Sequence, residues 1–334
     1  LFYGSEVPRQ GTVRRKANLK TWLYAGISEY PILVVDFGYC SGNTELMPKI
    51  TTENVFGADN QQETSIEFFY YSGFCVGEFS CSILKLSNRK SKNGGIYYTP
   101  DVTISNADLS LLKEVNSRVA AGRGVISRIK GGFNLSIRGK QKVKKILKFF
   151  TRFPPIAGDI AQTKLFILRK ALSILESQKG NYRRSIITQK QIEECRELLK
   201  ELKKTAQPFK VFAQRIFNSE AIGHFLAGVL DAEGSVGIKN NGSKFQPFVA
   251  VAMKDRKIVE LFRNFLGLGH IHVRPKENIY HFESGSKSAV LQILYLFSEV
   301  YPVRLPKMKL RMDRLRRILN DYTPKSQRYV GTMI

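Results

Sequence analysis

Two glutamates carry the chemical signal of this sequence. Glu233 closes the run Phe225-Leu226-Ala227-Gly228-Val229-Leu230-Asp231-Ala232, an apolar helical pattern, and Gly234 after it reads as a helix exit. Glu78 closes Phe69-Tyr70-Tyr71-Ser72-Gly73-Phe74-Cys75-Val76-Gly77 in the same register. A helix C-terminus disfavours negative charge by about 0.3–1 kcal/mol. Two carboxylates brought together there repel each other and invite a hard cation. Divalent cations held by carboxylates activate water, neutralise charge at a phosphoryl centre and stabilise a leaving oxygen. Phosphodiester hydrolysis is the chemistry such a pair could do, and Mg²⁺ suits a sparse set of oxygen ligands.

Bringing the acids together requires two helices in close contact. Gly73 and Gly77 are four apart, as are Gly228 and Ala232. Each pair lies on one helix face and lets another backbone approach.

The charge balance names the kind of partner. Lys and Arg number 53 against 28 Asp and Glu, a net charge of +25 with a pI near 9.9. Such an excess points to a polyanion, nucleic acid first. No apolar run approaches the ~20 residues of a spanning helix, so a membrane is not expected. Cys40, Cys75, Cys81 and Cys195 show no metal-ligand spacing and read as buried free thiols in a reduced compartment.

The elements around the glutamates recur in one order. Thr64-Ser65-Ile66-Glu67 is a capping box before the first helix, and Ser219 can cap the second. After each helix come two strands, a helix started by Asp108 or Asp255, a hairpin, and further helices. A charged helix from Thr188 to about Lys204, striped with Ile192, Cys195, Leu198, Leu199 and Leu202, links the halves. The expected organisation is a basic extension over residues 1–62, a first repeat over 63–180, a linker over 181–217, a second repeat over 218–322 and a tail over 323–334. The fold class is α+β: two pseudo-symmetric αββαββα repeats packed through their first helices, each with a four-stranded antiparallel sheet.

At Leu226 to Gly234 the sequence resembles the LAGLIDADG homing endonucleases in their single-chain, two-repeat form, and Tyr71 to Phe79 resembles the same motif with Val76 and Phe79 as departures. The resemblance implies that Glu78 and Glu233 bind metal, joined by the backbone carbonyls of Gly77 and Ala232. It also implies a basic residue after a Tyr-Pro-Leu-like segment. Tyr301-Pro302-Val303 leads to Lys307, which matches, whereas Phe153-Pro154-Pro155 leads to Asp159, which does not. By these departures the first half looks eroded and the second intact. What the resemblance further implies is a monomeric, intron-encoded, mitochondrial or other organellar enzyme in which each half cuts one DNA strand.

One face of an antiparallel sheet can stay open to solvent, and a two-stranded ribbon fits the major groove of duplex DNA. The residues expected to meet nucleic acid are Lys85, Arg89, Lys90, Lys92, Arg123, Arg128, Lys130, Arg138 and Lys140 in the first half, and Lys239, Lys244, His272, Arg274 and Lys276 in the second. His270 and His272 without nearby acids make a poor zinc site. A second reading is an RNA-binding derivative without cleavage: a maturase for its own intron, or a structural protein of an organellar ribosome or other RNA–protein particle. Duplex DNA is the first expected partner and structured RNA the second.

Overall fold

Residues 68–77 contain no charged side chain, so a helix over them has no polar face to give to water. In the computed structural model they form α1 (Phe68–Glu78), with Tyr70 to Val76 buried. The second motif forms α6 (Ser219–Glu233), buried in the same way from Phe225 to Asp231. The two helices touch backbone to backbone. A Cβ on Gly73 would lie 1.9 Å from the carbonyl oxygen of Phe225, and one on Gly228 would lie 2.0 Å from that of Tyr70. Each contact is the other shifted by the offset that separates Glu78 from Glu233, so the crossing has a local two-fold relation. The structure describes residues 66–87, 96–177, 186–209, 212, 216–241 and 244–321, all within one compact unit, Gln61–Ile334.

From α1 the chain runs directly into β1 (Phe79–Ser87), then β2 (Ile96–Asn106), α2 (Leu109–Ala120), β3 (Val125–Ile129), β4 (Gly132–Arg138), α3 (Lys140–Arg152) and α4 (Asp159–Glu176). The linker helix is α5 (Ile186–Thr205). After α6 the order repeats as β5 (Gly234–Asn241), β6 (Lys244–Met253), α7 (Arg256–Leu266), β7 (His270–Arg274), β8 (Ile279–Ser284), α8 (Lys287–Tyr295) with a wider π-helical turn over Leu296–Val300, and α9 (Pro306–Asp321). Both sheets are four-stranded and antiparallel, ordered β1-β2-β4-β3 and β5-β6-β8-β7. The α+β reading and the repeated order hold.

Strand alternation places one face of each sheet under helices. Cys81, Ile83, Val102, Ile104, Leu135 and Ile137 are buried on that side of the first sheet, as are Val236, Val249, Val251 and Phe282 on the second. The linker helix packs on α4 and β1 through Ile192, Cys195, Leu199 and Leu202.

Two capping expectations change. Asn218, not Ser219, caps α6, accepting from the Ala221 amide at 2.9 Å. Asp108 caps α2 as expected, accepting from Leu111 at 2.7 Å. Asp255 makes no cap bond to α7 and instead accepts from the Ile160 amide of α4 at 2.8 Å. An acid at the start of one repeat's helix therefore satisfies an orphan donor of the other repeat. Thr64, Ser65, Cys40, the basic arm and residues 323–334 lie outside the described residues.

Gly228→Ala forces a methyl group into the Tyr70 backbone, where no rotamer change relieves the overlap. It is expected to destabilise the protein by at least the ~1–3 kcal/mol of an overpacked core. Thermal melting checks this: a drop of several degrees is expected, at about 2–4 °C per kcal/mol for a body of this size. An unchanged midpoint would mean that the helices do not cross here.

Candidate active site

Each glutamate opens onto its own cleft, and each cleft draws on both repeats. Glu78 lines a cleft of ≈ 580 Å³ with Asn106, Asp108 and Lys130 from the first repeat and Lys307 from the second. The Asn106 amide donates to Glu78 Oε1 at 2.9 Å, which orients that carboxylate. Glu233 lines a cleft of ≈ 410 Å³ with Lys254 and Asp255 from the second repeat, Lys164 from the first and Lys203 from the linker helix. The helix crossing sets the spacing of the acids: a Cβ on Gly77 would lie 2.9 Å from Glu233 Cγ and 2.6 Å from Ala232 Cβ.

This arrangement revises the view that erosion is confined to the first half. Lys307 follows the second motif in sequence but faces the glutamate of the first. Asp159, at the corresponding place in the first repeat, accepts from Lys257 Nζ at 2.9 Å and from the Phe212 amide at 3.3 Å. The Glu78 cleft therefore holds its basic residue, and the Glu233 cleft lacks one at that register.

Val76 is not a lost catalytic acid. Its counterpart Asp231 is buried and structural: one carboxylate oxygen, Oδ2, accepts from the Tyr70 hydroxyl at 2.6 Å and from the Arg304 and Leu305 amides at 2.6 and 3.0 Å. At the matching place Val76 faces no such demand, because Phe225 stands where the first repeat has Tyr70. Hydroxyl and acid are absent together, so neither is orphaned. Phe79, the other departure, packs its ring on Phe150 and carries the Lys164 ammonium 4.8 Å above it. Arg304 ties the repeats further. It donates to Glu114 and the Tyr71 oxygen at 2.7 Å each and to Glu67 at 2.8 Å.

Electrostatics distinguish the two acids. Burial raises the Glu78 carboxyl above its ordinary range, and the Asn106 bond opposes this. Burial first, then the charge of Glu78, push Glu233 up to about 7, while Lys164 pulls it down. Withdrawal from water is the larger cause for both acids, and the charge of Glu78 adds to it at Glu233. Among the described residues no group of three His, Cys, Asp or Glu could cage a metal. The residues that could hold a metal are Glu78 and Glu233, with the helix-terminal carbonyls of Gly77 and Ala232 as the further ligands that the family resemblance implies. A sparse oxygen set of this kind fits a hard divalent cation that keeps most of its waters.

The residues expected to face nucleic acid divide by strand parity. Arg138 is on the open face of the first sheet but pairs with Asp101 at 3.2 Å. Lys85 shares the parity of buried Ile83 and pairs with Glu193 of the linker helix at 2.6 Å, so it is turned away from that face. Arg128 pairs opposite Phe133, also on the helix side. Lys140 opens α3, its Nζ 3.5 Å from the Leu175 carbonyl. Arg123 and Lys130 are exposed beside β3. The open face of the first sheet is thus mainly hydroxyl-bearing: Ser80, Ser82, Thr99, Thr103, Ser105, Ser127 and Ser136. The second is more basic. Lys239, paired with Glu283, lies on it with His272 and Arg274, the Lys244 backbone opens β6 opposite Asn241, and Lys276 sits in the β7–β8 turn. His281, which sequence reading passed over, stands between His272 and Glu283, its ring 6.4 Å from that of His272. The alternation of β8 was the signal that could have found it. Arg89, Lys90 and Lys92 lie outside the described residues.

Residues 226–313 match the family model described as LAGLIDADG endonuclease. Among solved structures, the chain resembles the LAGLIDADG homing endonuclease I-GzeII in complex with its DNA target, at 19% identity over 76% of this chain and 89% of that one, with a TM-score of 0.62. It resembles I-SmaMI bound to cleaved DNA at 18% identity over 80% and 95%, TM-score 0.64. Against I-CpaMI bound to uncleaved DNA the identity is 16% over 76% and 90%, TM-score 0.62. No curated protein matches by sequence. The class is thereby defined as a two-repeat protein of the LAGLIDADG homing endonuclease fold. The family resemblance read at Leu226 to Gly234 is borne out by the family model over those same residues.

Glu233 predicts a pH dependence. Its carboxyl is raised from 4.5 to about 7, so the stability it contributes is full below pH 4.5 and is lost as pH rises through 7. Without divalent metal the melting temperature should fall across that window, and Glu233→Gln should flatten that part of the profile. Divalent cation should restore stability at pH 8 in the parent but not in the variant. Parallel profiles for both proteins would contradict the shift.

Proposed function

We propose that this chain is a site-specific DNA endonuclease that cuts both strands of a long, non-palindromic site by Mg²⁺-dependent phosphodiester hydrolysis. The observation that carries the reading is the pair of glutamates at the ends of crossing helices, each opening onto a cleft with lysines. The fold adds support, since solved relatives of this architecture are DNA-bound. A bound divalent cation would supply the Lewis acid and a water of lowered pKa. Glu78, Glu233 and the carbonyls of Gly77 and Ala232 would hold it. Asn106 keeps the Glu78 carboxylate oriented, and Lys307 offers its ammonium to a phosphate oxygen beside Glu78. The open sheet faces span the duplex, the hydroxyl-rich first sheet contacting bases by short side chains and the second meeting the backbone with more charge. The chain would act as a monomer, since both repeats are covalently joined. An intron-encoded, organellar origin is part of the same proposal and rests on the family resemblance alone.

A second reading is favoured by one observation: Asp159 stands where a basic residue would serve the Glu233 cleft. In that reading the chain binds structured RNA and does not cut. A cleavage selection on a randomised DNA library with Mg²⁺ separates the two. The parent is expected to cut both strands. Glu78→Gln and Glu233→Gln should each lower cleavage by at least ~10²-fold, the scale of removing one transition-state electrostatic group. No cutting of any sequence, together with tight binding to a structured RNA, would establish the second reading instead.

A further inference from the structure

We propose that Lys164 is the phosphate-contacting residue of the Glu233 cleft, doing there what Lys307 does beside Glu78. The inference rests on the nuclease reading for its catalytic part, though the phosphate contact itself does not require it. Lys164 lies on α4, five residues beyond Asp159. Asp159 is turned to Lys257 and the Phe212 amide, and Lys164 lines the cleft with Glu233. Its ammonium donates to the Phe79 carbonyl at 3.0 Å and sits 4.8 Å above the Phe79 ring. One carbonyl occupies one of three N–H donors.

Among the described residues no carboxylate lies within ion-pair distance of Lys164, and Asp255 and Glu233 act on it only through longer-range charge. Burial lowers the pKa of this lysine, as expected for an ammonium withdrawn from water without a full counterion. Lys203 and Lys254 line the same cleft. Asp255, the other acid there, already accepts from the Ile160 amide. A cleft with three ammonium groups and one open glutamate is complementary to a phosphodiester oxygen accompanied by a divalent cation.

The seat of Lys164 is particular to this repeat. In the second repeat the corresponding positions are Gly234 in place of Phe79 and Met312 in place of Lys164, and Met312 is fully buried. There the basic residue stands at Lys307 and needs no aromatic platform. Phe79 and Lys164 therefore act as one unit that compensates for Asp159: the ring that departs from the motif holds the cation that the register lacks.

The test uses the full chain, a duplex carrying its selected site with each strand labelled separately, and Lys164→Met, Lys164→Arg and Lys307→Met. Methionine keeps the apolar stem and removes the charge. Lys164→Met is expected to slow cleavage of one strand by ~10²-fold and leave a nicked product. Lys307→Met should slow the opposite strand, and Lys164→Arg should retain most of the parent rate. The slope of log affinity against log salt should become shallower by about 0.9 in Lys164→Met, the loss of one phosphate contact on duplex DNA. Equal slowing of both strands, or unchanged cleavage of both, would overturn the assignment. If the parent cuts no DNA, the nuclease reading fails by itself. The salt slope on whichever nucleic acid is bound then still decides: an unchanged slope in Lys164→Met, with melting and Lys164→Arg at parent values, overturns the phosphate contact.

Discussion

The closeness of two helix backbones governs the rest of this molecule. At Gly73 and Gly228 the side chain is a hydrogen because the facing carbonyl already occupies the space of a Cβ. That contact fixes the crossing point, and the crossing point fixes how far apart the helix ends can be. Glu78 and Glu233 are held near each other by backbone geometry rather than by attraction, since their own charges repel. The helices continue directly into β1 and β5, so the same constraint that pairs the acids also sets the two sheets beside them. A shift at the crossing would move the acids and the open sheet faces together.

Above that crossing the repeats exchange parts. Asp255 of the second repeat caps a helix of the first, and Asp159 of the first takes Lys257 of the second. Arg304 reaches across to Glu67 and Glu114, and Lys307 stands beside Glu78. Neither cleft belongs to one repeat. A departure in one motif is consequently felt in the cleft where its partner element ends, which need not be its own. That is why a count of motif departures per repeat misjudges which cleft has changed.

Much of the architecture was legible from local pattern. The small residues four apart announced the helix contact, and the alternation of apolar residues announced the strands and their order. The glutamates were legible because they end both helices in one register. Side-chain direction was harder. Lys85 looked outward because it is charged, yet its parity with Ile83 puts it on the helix side, where the linker helix supplies Glu193. Asp255 looked like a local cap because its sequence neighbourhood suits one, and the competing amide comes from a helix about a hundred residues earlier in the chain. Lys164 had no local signal at all. Its position is meaningful only once α4 has been laid against Phe79 and Glu233, and the hint available beforehand was the coincidence of two oddities, Phe79 and Asp159.

The Tyr70 to Asp231 hydrogen bond has a consequence for how such a protein can be taken apart. Its two-fold mate would join Phe225 to Val76, where no polar atoms exist. Two copies of the first helix crossing each other would bury two tyrosine hydroxyls against valines. Two copies of the second would bury two aspartates, each short of a hydroxyl against phenylalanine. A stranded tyrosine hydroxyl costs about 1–3 kcal/mol, and only the mixed pair gives Tyr70 its acceptor and Asp231 its hydroxyl donor beside the Arg304 and Leu305 amides. If the chain were severed in its linker, the fragments would recognise each other in preference to themselves: the two repeats form a matched plug and socket.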